Sequence, residues 1–179
     1  MKKIWDTTTS ETALSNKWLK VIHDRYILPT KEEGDYFYVK TNGSSIVVPV
    51  MDDRKIVLVK QYRYINKKVC VELPMGGLED NQLPLDAAKA ELEQETGYVA
   101  EQFTKIGDFN PFTGVTNEVC NVYIARGLTK TTQAQDNTED IEVLVKDPEE
   151  VDQLIKEGKI WDGQSITAWY LAQKYLKQK

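Results

Sequence analysis

Histidine and cysteine, two residue types that often carry catalysis, are scarce in this chain of 179 residues. The single histidine, His23, lies in a weakly patterned N-terminal segment, which argues against a Ser-His-Asp or Cys-His mechanism. The two cysteines, Cys70 and Cys120, are far apart, and each lies in an apolar, strand-like run. This placement favours reduced core thiols over a disulfide or a zinc site.

Long hydrophobic runs and an excess of basic residues are also absent. No stretch is long enough to span a membrane, and no apolar secretory segment follows the N-terminal lysines. We therefore expect a cytoplasmic protein that has no membrane partner. With 23 basic and 28 acidic residues, the net charge is −5, whereas general nucleic-acid binding needs clustered Lys and Arg. A negatively charged substrate would need a cation as intermediary.

The patterning of the chain predicts an α+β layered fold. The composition, 41% hydrophobic and 28% charged residues, is typical of a globular protein. A helix is expected to begin near Pro84 and to end before Gly97, with Leu85, Ala88 and Leu92 facing inward. Strands and helices do not alternate as regular βαβ units. We expect strands at 45–50, 55–61, 69–73, 119–125 and 140–146, helices at 85–96, 148–157 and 165–176, a small strand-containing segment at 1–44 and the main domain at 45–179.

The most informative segment runs from Gly76 to Tyr98. Residues four apart on a helix share a face, so Glu91 and Glu95 project together, and Gln94 borders the same patch. Clustered carboxylates repel each other unless a cation lies between them. Mg²⁺ takes oxygen ligands from one or two carboxylates plus substrate phosphates. A solvated acidic helix face is the plain alternative, but the glycine-rich loop before the helix favours a magnesium site and phosphate chemistry.

This segment resembles the Nudix box, G-x5-E-x7-R-E-U-x-E-E-x-G-U, where U is a bulky apolar residue. Gln82 and Ala90 replace a Glu and an Arg that pair with each other in the family. Losing both partners of an ion pair can be near neutral, whereas losing one costs about 3–5 kcal/mol. Gln94 replaces the first Glu of the final pair but keeps an oxygen that can ligate, so we expect fewer or weaker metal ions. The matching positions are Gly76, Glu91, Leu92, Glu95 and Gly97.

Beyond the box, the chain resembles the ADP-ribose pyrophosphatase-like branch of the Nudix family from about residue 17 to the C-terminus. This resemblance implies an α/β/α sandwich of mixed sheet, with the box as a loop-helix-loop and a small N-terminal β element. It also implies a homodimer in which the N-terminal region helps to build the partner's site. The motifs that carry this resemblance are VLVKQYRY at 57–64, VELPMGGLED at 71–80, NPFTGVTNE at 110–118 and KIWDGQSITAWYLAQ at 159–173.

The resemblance assigns roles to residues around the carboxylate pair. Arg63 would contact the phosphates or ribose of a substrate, and Glu72 would contact the substrate or the metal shell. The backbone carbonyl of Met75 would join Glu91, Gln94 and Glu95 as metal ligands. A loop containing Gly114 and Glu118 would lie near the cleft. Each residue also has a purely structural interpretation, for instance Arg63 as a surface strand residue and Glu72 as the end of a strand.

Two further assignments concern an aromatic residue and the general base. Trp18 could stack on a nucleobase, since aromatic rings bind bases through their faces, or could lie in the core or a dimer interface. The branch places its base on a loop that corresponds here to 133–140, whose polar composition predicts flexibility. Glu139 is the best candidate base. The alternatives are Asp136, Asp140, Glu142 and the box carboxylates Glu91 and Glu95.

These features predict hydrolysis of the diphosphate linkage in ADP-ribose or a related nucleoside diphosphate sugar, dependent on Mg²⁺ or on Mn²⁺ in its place. The products would be a nucleoside monophosphate and a sugar phosphate. Thr113 stands where the branch usually has proline, which leaves a GDP- or ADP-hexose open as substrate. One alternative is a Nudix-like domain that binds a nucleotide as a sensor or regulator. Another, disfavoured by the acidic composition, is an enzyme acting on capped RNA or nucleoside triphosphates.

Overall fold

The computed structural model describes residues 5–16, 19–133 and 140–176. The chain forms two compact units, Met1–Gly43 with Asn110–Val119, and Ser44–Phe109 with Cys120–Lys179. In the described part of the chain, none of the helices has the length and apolar character needed to cross a membrane.

The first unit is built on a three-stranded antiparallel sheet with its second strand in the middle. Ile22 on that central strand is buried, whereas Trp5, Leu14 and Phe37 are exposed. The segment 110–119 joins this unit through a bond from the Val39 N–H to the Val115 carbonyl, at 2.8 Å. The strands are β1 (Asp6–Ser15), β2 (Lys20–Ile27) and β3 (Glu33–Lys40).

In its described residues, the second unit contains two sheets and three helices. Its four-stranded sheet has the order β7-β4-β9-β8 and is mixed, because β4 and β9 run parallel while the other pairs are antiparallel. The three-stranded sheet has the order β10-β5-β6 and is antiparallel. The elements are β4 (Ser44–Pro49), β5 (Ile56–Arg63), β6 (Lys68–Glu72), β7 (Met75–Gly77), α1 (Pro84–Thr96), β8 (Tyr98–Phe109), β9 (Cys120–Lys130), β10 (Glu142–Lys146), α2 (Pro148–Lys156) and α3 (Gly163–Leu176).

The core of this unit lies on both faces of β4, all six residues of which are buried. Val47 packs with Ala88 and Leu92 of α1 on one face. Ile46 belongs to the larger cluster on the other face, which includes Trp169 of α3. Each fully buried Val, Leu or Ile side chain stabilises the fold by about 1.5–3 kcal/mol. This burial fixes α1 on the sheet and confirms the predicted inward stripe of that helix.

The predicted α+β fold is confirmed, with an N-terminal β region, one mixed sheet, one further antiparallel sheet and helices packed on the sheets. Both cysteines are free and buried, as predicted. The sequence prediction missed β8, whose burial pattern is mostly exposed or intermediate rather than alternating. It also ended β9 five residues early, at 125, because the strand continues to Lys130 beside β8.

Candidate active site

Helix α1 is fixed at both ends by local geometry. Pro84 occupies the first helical turn, and its carbonyl accepts a hydrogen bond from the Ser45 hydroxyl on β4, at 2.7 Å. At the other end, Gly97 adopts the left-handed conformation, with φ of 66°, and its N–H donates to the Glu93 carbonyl at 2.9 Å. The last two turns, which carry Glu91 and Glu95, are therefore held in register with the sheet.

The carboxylates of Glu91 and Glu95 both meet the backbone of the short strand β7. Glu95 is 4% exposed, and its Oε2 accepts a hydrogen bond from the Met75 N–H at 3.0 Å. Glu91 lies against Gly76 so closely that a Cβ at that position would be 1.8 Å from its Oε1. Only glycine leaves room for this approach. The loop glycine and the helix carboxylates are thus brought together.

The two glutamines that replace box glutamates occupy different environments. Gln94 is exposed on α1, in contrast to the buried Glu95. Gln82 braces the loop before the helix, since its Oε1 accepts from the Glu79 N–H at 2.9 Å and its own N–H donates to the Glu79 carbonyl at 3.2 Å. Gln82 therefore supports the loop through backbone contacts.

Glu72 and Arg63 form a second charged group, which links the last residue of β6 to the last residue of β5. Glu72 is 2% exposed, and the Arg63 Nε donates to its two carboxylate oxygens at 3.0 and 3.1 Å. The Arg63 terminal nitrogen also donates to Glu72, and Gln61 adds a bond at 3.3 Å. Hydrogen bonding to Glu72 raises the pKa of the Arg63 guanidinium, and the charges of Glu95 and Asp162 act in the same direction. Arg63 thus lies within electrostatic reach of Glu95 on α1.

The start of α3 is tied to the end of β6 beside this pair. The Asp162 Oδ2 accepts from the Ser165 N–H at 2.7 Å, which caps the helix. The Ser165 hydroxyl in turn accepts from the Leu73 N–H at 2.9 Å. Burial raises the pKa of Asp162, and the charge of nearby Glu72 adds to this effect. The buried Oδ1 of Asp162 has no hydrogen-bond partner within the described residues.

Of the remaining predicted site residues, some belong to the first compact unit and others lie outside the described residues. Gly114 and Glu118 belong to the first compact unit. The Gly114 carbonyl accepts from the Tyr36 hydroxyl at 2.9 Å, and the Glu118 N–H donates to the Thr116 hydroxyl at 3.1 Å. Trp18, Asp136 and Glu139 lie outside the described residues, so their roles stay predictions. Of the alternative bases, Asp140 is exposed and Glu142 pairs with Lys60 at 2.6 Å.

Comparison with known proteins decides what this arrangement of loop, helix and sheet is. The Nudix domain model matches residues 40–169, well over half of the chain. The chain belongs to the Nudix family. The segment of Gly76, Glu91 and Glu95 is therefore its Nudix box, despite the three departures from the pattern.

Individual relatives indicate the branch of the Nudix family to which this protein is similar. The methanol dehydrogenase activator of Bacillus methanolicus is 32% identical over 100% of both chains. The ADP-ribose pyrophosphatase of Bacillus subtilis (strain 168) is 31% identical over 96% of this chain and 93% of its own. The crystal structure of an ADP compounds hydrolase has a TM-score of 0.87, with 18% identity over 98% of this chain and 95% of that chain, and shows the same fold. The family and these relatives indicate a hydrolase of the ADP-ribose pyrophosphatase-like branch and do not favour a non-catalytic sensor.

The donor set at the Nudix box fits a hard divalent cation. Within the described residues, no three His, Cys, Asp or Glu side chains are grouped so that they could hold a metal ion by themselves. Mg²⁺ does not need such a cage, because it keeps several waters and takes one or two carboxylates plus substrate phosphates. The Glu91 and Glu95 carboxylates beside the Met75 backbone supply oxygen donors of this kind, and no soft ligand lies among them.

Sequence reasoning missed three residues that support the site. Gln61 adds to the donors around Glu72, and Asp162 and Ser165 tie α3 to β6. An Asp followed by Gly163 at the start of an amphipathic segment is an N-cap signal that could have identified Asp162. The partners of Ser165 and Gln61 are set by tertiary packing and have no comparable local signal.

Proposed function

We propose that this Nudix protein hydrolyses the diphosphate linkage of ADP-ribose or a related nucleoside diphosphate sugar, with Mg²⁺ as its cofactor. The products are a nucleoside monophosphate and a sugar phosphate. The names of the Bacillus subtilis pyrophosphatase and the ADP compounds hydrolase support this class of substrate. Identity of about a third leaves the sugar open, and Thr113 in the 110–119 segment keeps hexose nucleotides among the candidates.

The observation that carries the proposal is the meeting of Glu91 and Glu95 at β7. A Cβ at Gly76 would lie 1.8 Å from the Glu91 Oε1, and the Met75 N–H donates to the Glu95 carboxylate at 3.0 Å, so both carboxylates lie against one short stretch of backbone. Holding like charges together costs energy unless a cation compensates them. A solvated acidic face would instead leave both side chains exposed.

In this proposal, different residues bind the metal and the substrate. Glu91 and Glu95 would hold Mg²⁺, which when bound supplies charge neutralisation and Lewis acidity to the diphosphate. Arg63, whose side chain keeps 38% of its surface exposed, contributes positive charge for the phosphates while Glu72 fixes its orientation. A carboxylate removes the proton from the attacking water, and Glu139 remains our candidate for that base.

A substrate panel tests this proposal. ADP-ribose, ADP-glucose, GDP-mannose and ATP would each be incubated with the protein and Mg²⁺, Mn²⁺ or EDTA, and the products separated by ion-exchange chromatography. The proposal predicts metal-dependent release of AMP or GMP from the sugar nucleotides. Pyrophosphate release from ATP alone, or no turnover together with a thermal shift by ADP-ribose, would contradict it.

We further propose that the protein acts as a cytoplasmic homodimer, with the N-terminal segment 1–44 contributing to the interface. Support comes from the exposure of Trp5, Leu14 and Phe37 on the first unit, because a dimer interface in this segment would cover these large apolar side chains. Sedimentation velocity should give the mass of two chains. A monomer at micromolar concentration would contradict the proposal.

A further inference from the structure

Gln133 follows β9, and its side-chain amide reaches the C-terminal end of α1. Its Nε2 donates to the Glu95 carbonyl at 2.5 Å and to the Ile141 carbonyl at 3.4 Å. An amide nitrogen carries two hydrogens, so one side chain serves both acceptors. Gln133 and Ile141, which lie on either side of 134–139, are thereby linked to each other and to the last turn of α1.

The last turn of α1 needs such a donor. The final carbonyls of a helix have no partner within the helix, and they form the negative end of its dipole. This turn carries Glu93 and Glu95 and contains no basic residue of its own. A Lys or Arg in place of Gln133 would supply hydrogen-bond donors but would also bring a positive charge to the turn that carries Glu95, a proposed metal ligand. A neutral amide supplies the donor without that competition.

A second contact holds the same two segments together. The Thr131 N–H donates to the Gly97 carbonyl at 2.7 Å. A Cβ at Gly97 would be 3.0 Å from the backbone nitrogen of Gln133, so the strand end and the helix end are in close contact there. The bond from Gln133 to Glu95 therefore forms within a packed junction.

We infer that Gln133 is a positioning residue for the active site. Its amide anchors the turn that contains Glu95 to the connection between β9 and β10, and so holds the Glu95 carboxylate in place for the metal. The catalytic part of this inference rests on the proposed function, whereas the anchoring of the turn does not.

The test compares Gln133→Met with a matched control. Methionine keeps the length of the side chain and removes both donors. In the control, Gln153→Met, the lost bond is one from Gln153 to Glu157 on α2, at 2.9 Å. For Gln133→Met we expect backbone hydrogen exchange in peptides covering 91–98 to rise about fivefold to tenfold, in keeping with the loss of a hydrogen bond. Mn²⁺ affinity, measured by electron paramagnetic resonance, should fall about threefold to tenfold.

Steady-state kinetics with ADP-ribose then separates positioning from substrate binding. We expect kcat of Gln133→Met to fall about tenfold while KM changes less than about twofold, because Gln133 acts through Glu95 and not on the substrate. Gln153→Met should match the wild type in every measurement. Unchanged exchange at 91–98, unchanged Mn²⁺ affinity or equal changes in the control would each overturn the inference. If the wild type hydrolyses none of the sugar nucleotides in the substrate panel, the proposed function fails, and exchange and Mn²⁺ affinity still decide the role of Gln133.

Discussion

A methyl group at Gly76 should separate activity from folding. A Cβ there would lie 1.8 Å from the Glu91 Oε1, and contacts under 3.0 Å are essentially never seen, so the oxygen must retreat by at least about 1.2 Å. Glu91 is partly exposed and its carboxylate is the far end of a flexible chain, so the side chain can rotate away. The strand itself need not move.

The displacement of Glu91 should lower the rate of catalysis strongly and change the stability of the fold little. Misplacing a reacting group by about 1 Å can cost about 100-fold in rate, so kcat/KM of Gly76→Ala should fall about 100-fold, or about 2.7 kcal/mol. Gly76 is not among the residues with positive φ, so alanine fits its backbone conformation. Replacing such a glycine reduces the entropy of the unfolded chain, and the free energy of unfolding should stay within about 1 kcal/mol of the wild type.

The assay pairs Mg²⁺-dependent AMP release from ADP-ribose with urea denaturation. Gly163→Ala is the matched control, because a Cβ at Gly163 meets nothing within 4 Å. It should keep wild-type activity and stability. Full activity of Gly76→Ala would show that the position of Glu91 does not matter. A stability loss above about 3 kcal/mol would show that the Glu91 carboxylate cannot move as reasoned.

Two further predictions concern charged groups in the two units. Arg63→Met leaves the buried Glu72 without its main partner and should lower the free energy of unfolding by about 2–4 kcal/mol. Adding Glu72→Met should recover most of that loss. A double variant that is no more stable than Arg63→Met in urea denaturation would contradict this prediction. Hydrogen bonds to Asp35 and then Glu11 raise the pKa of His23 above 6.5, so its stabilising contribution is complete below pH 6.5 and is lost as the pH rises through the folded pKa. An NMR titration of this single imidazole should therefore have its midpoint above pH 6.5. A midpoint at or below that value would be evidence against the hydrogen bonds of His23 with Asp35 and Glu11.

The box helix was predictable because its signals are local. Pro84 at its start, Gly97 after its end and the four-residue spacing of Glu91 and Glu95 all lie within one short stretch of sequence, and each acts through backbone geometry. The same holds for α2, where the Glu150 carboxylate accepts from the Asp147 N–H at 2.9 Å, an arrangement typical of helix starts.

Features that depend on distant partners were not predictable. Strand β8 has few buried side chains, and it exists because its backbone pairs with β9 across the whole of Tyr98–Phe109. The ladder bonds do not depend on side-chain pattern, so hydrophobic periodicity gives no signal for such a strand. The contact of Gln133 with the Glu95 carbonyl joins residues 38 positions apart, and only the folded sheet brings them together.

The most direct test of the account compares three charge-removing variants on α1. Glu91→Gln and Glu95→Gln alter the proposed metal ligands, and Glu93→Gln removes an exposed carboxylate from the same helix. The measurement is the rate of Mg²⁺-dependent AMP release from ADP-ribose at saturating substrate. We predict a loss of at least about 100-fold for the first two variants and less than about twofold for Glu93→Gln. Equal rates for all three variants, or no turnover of any sugar nucleotide in the substrate panel by the wild type, would contradict the assignment of this Nudix box as a hydrolytic metal site.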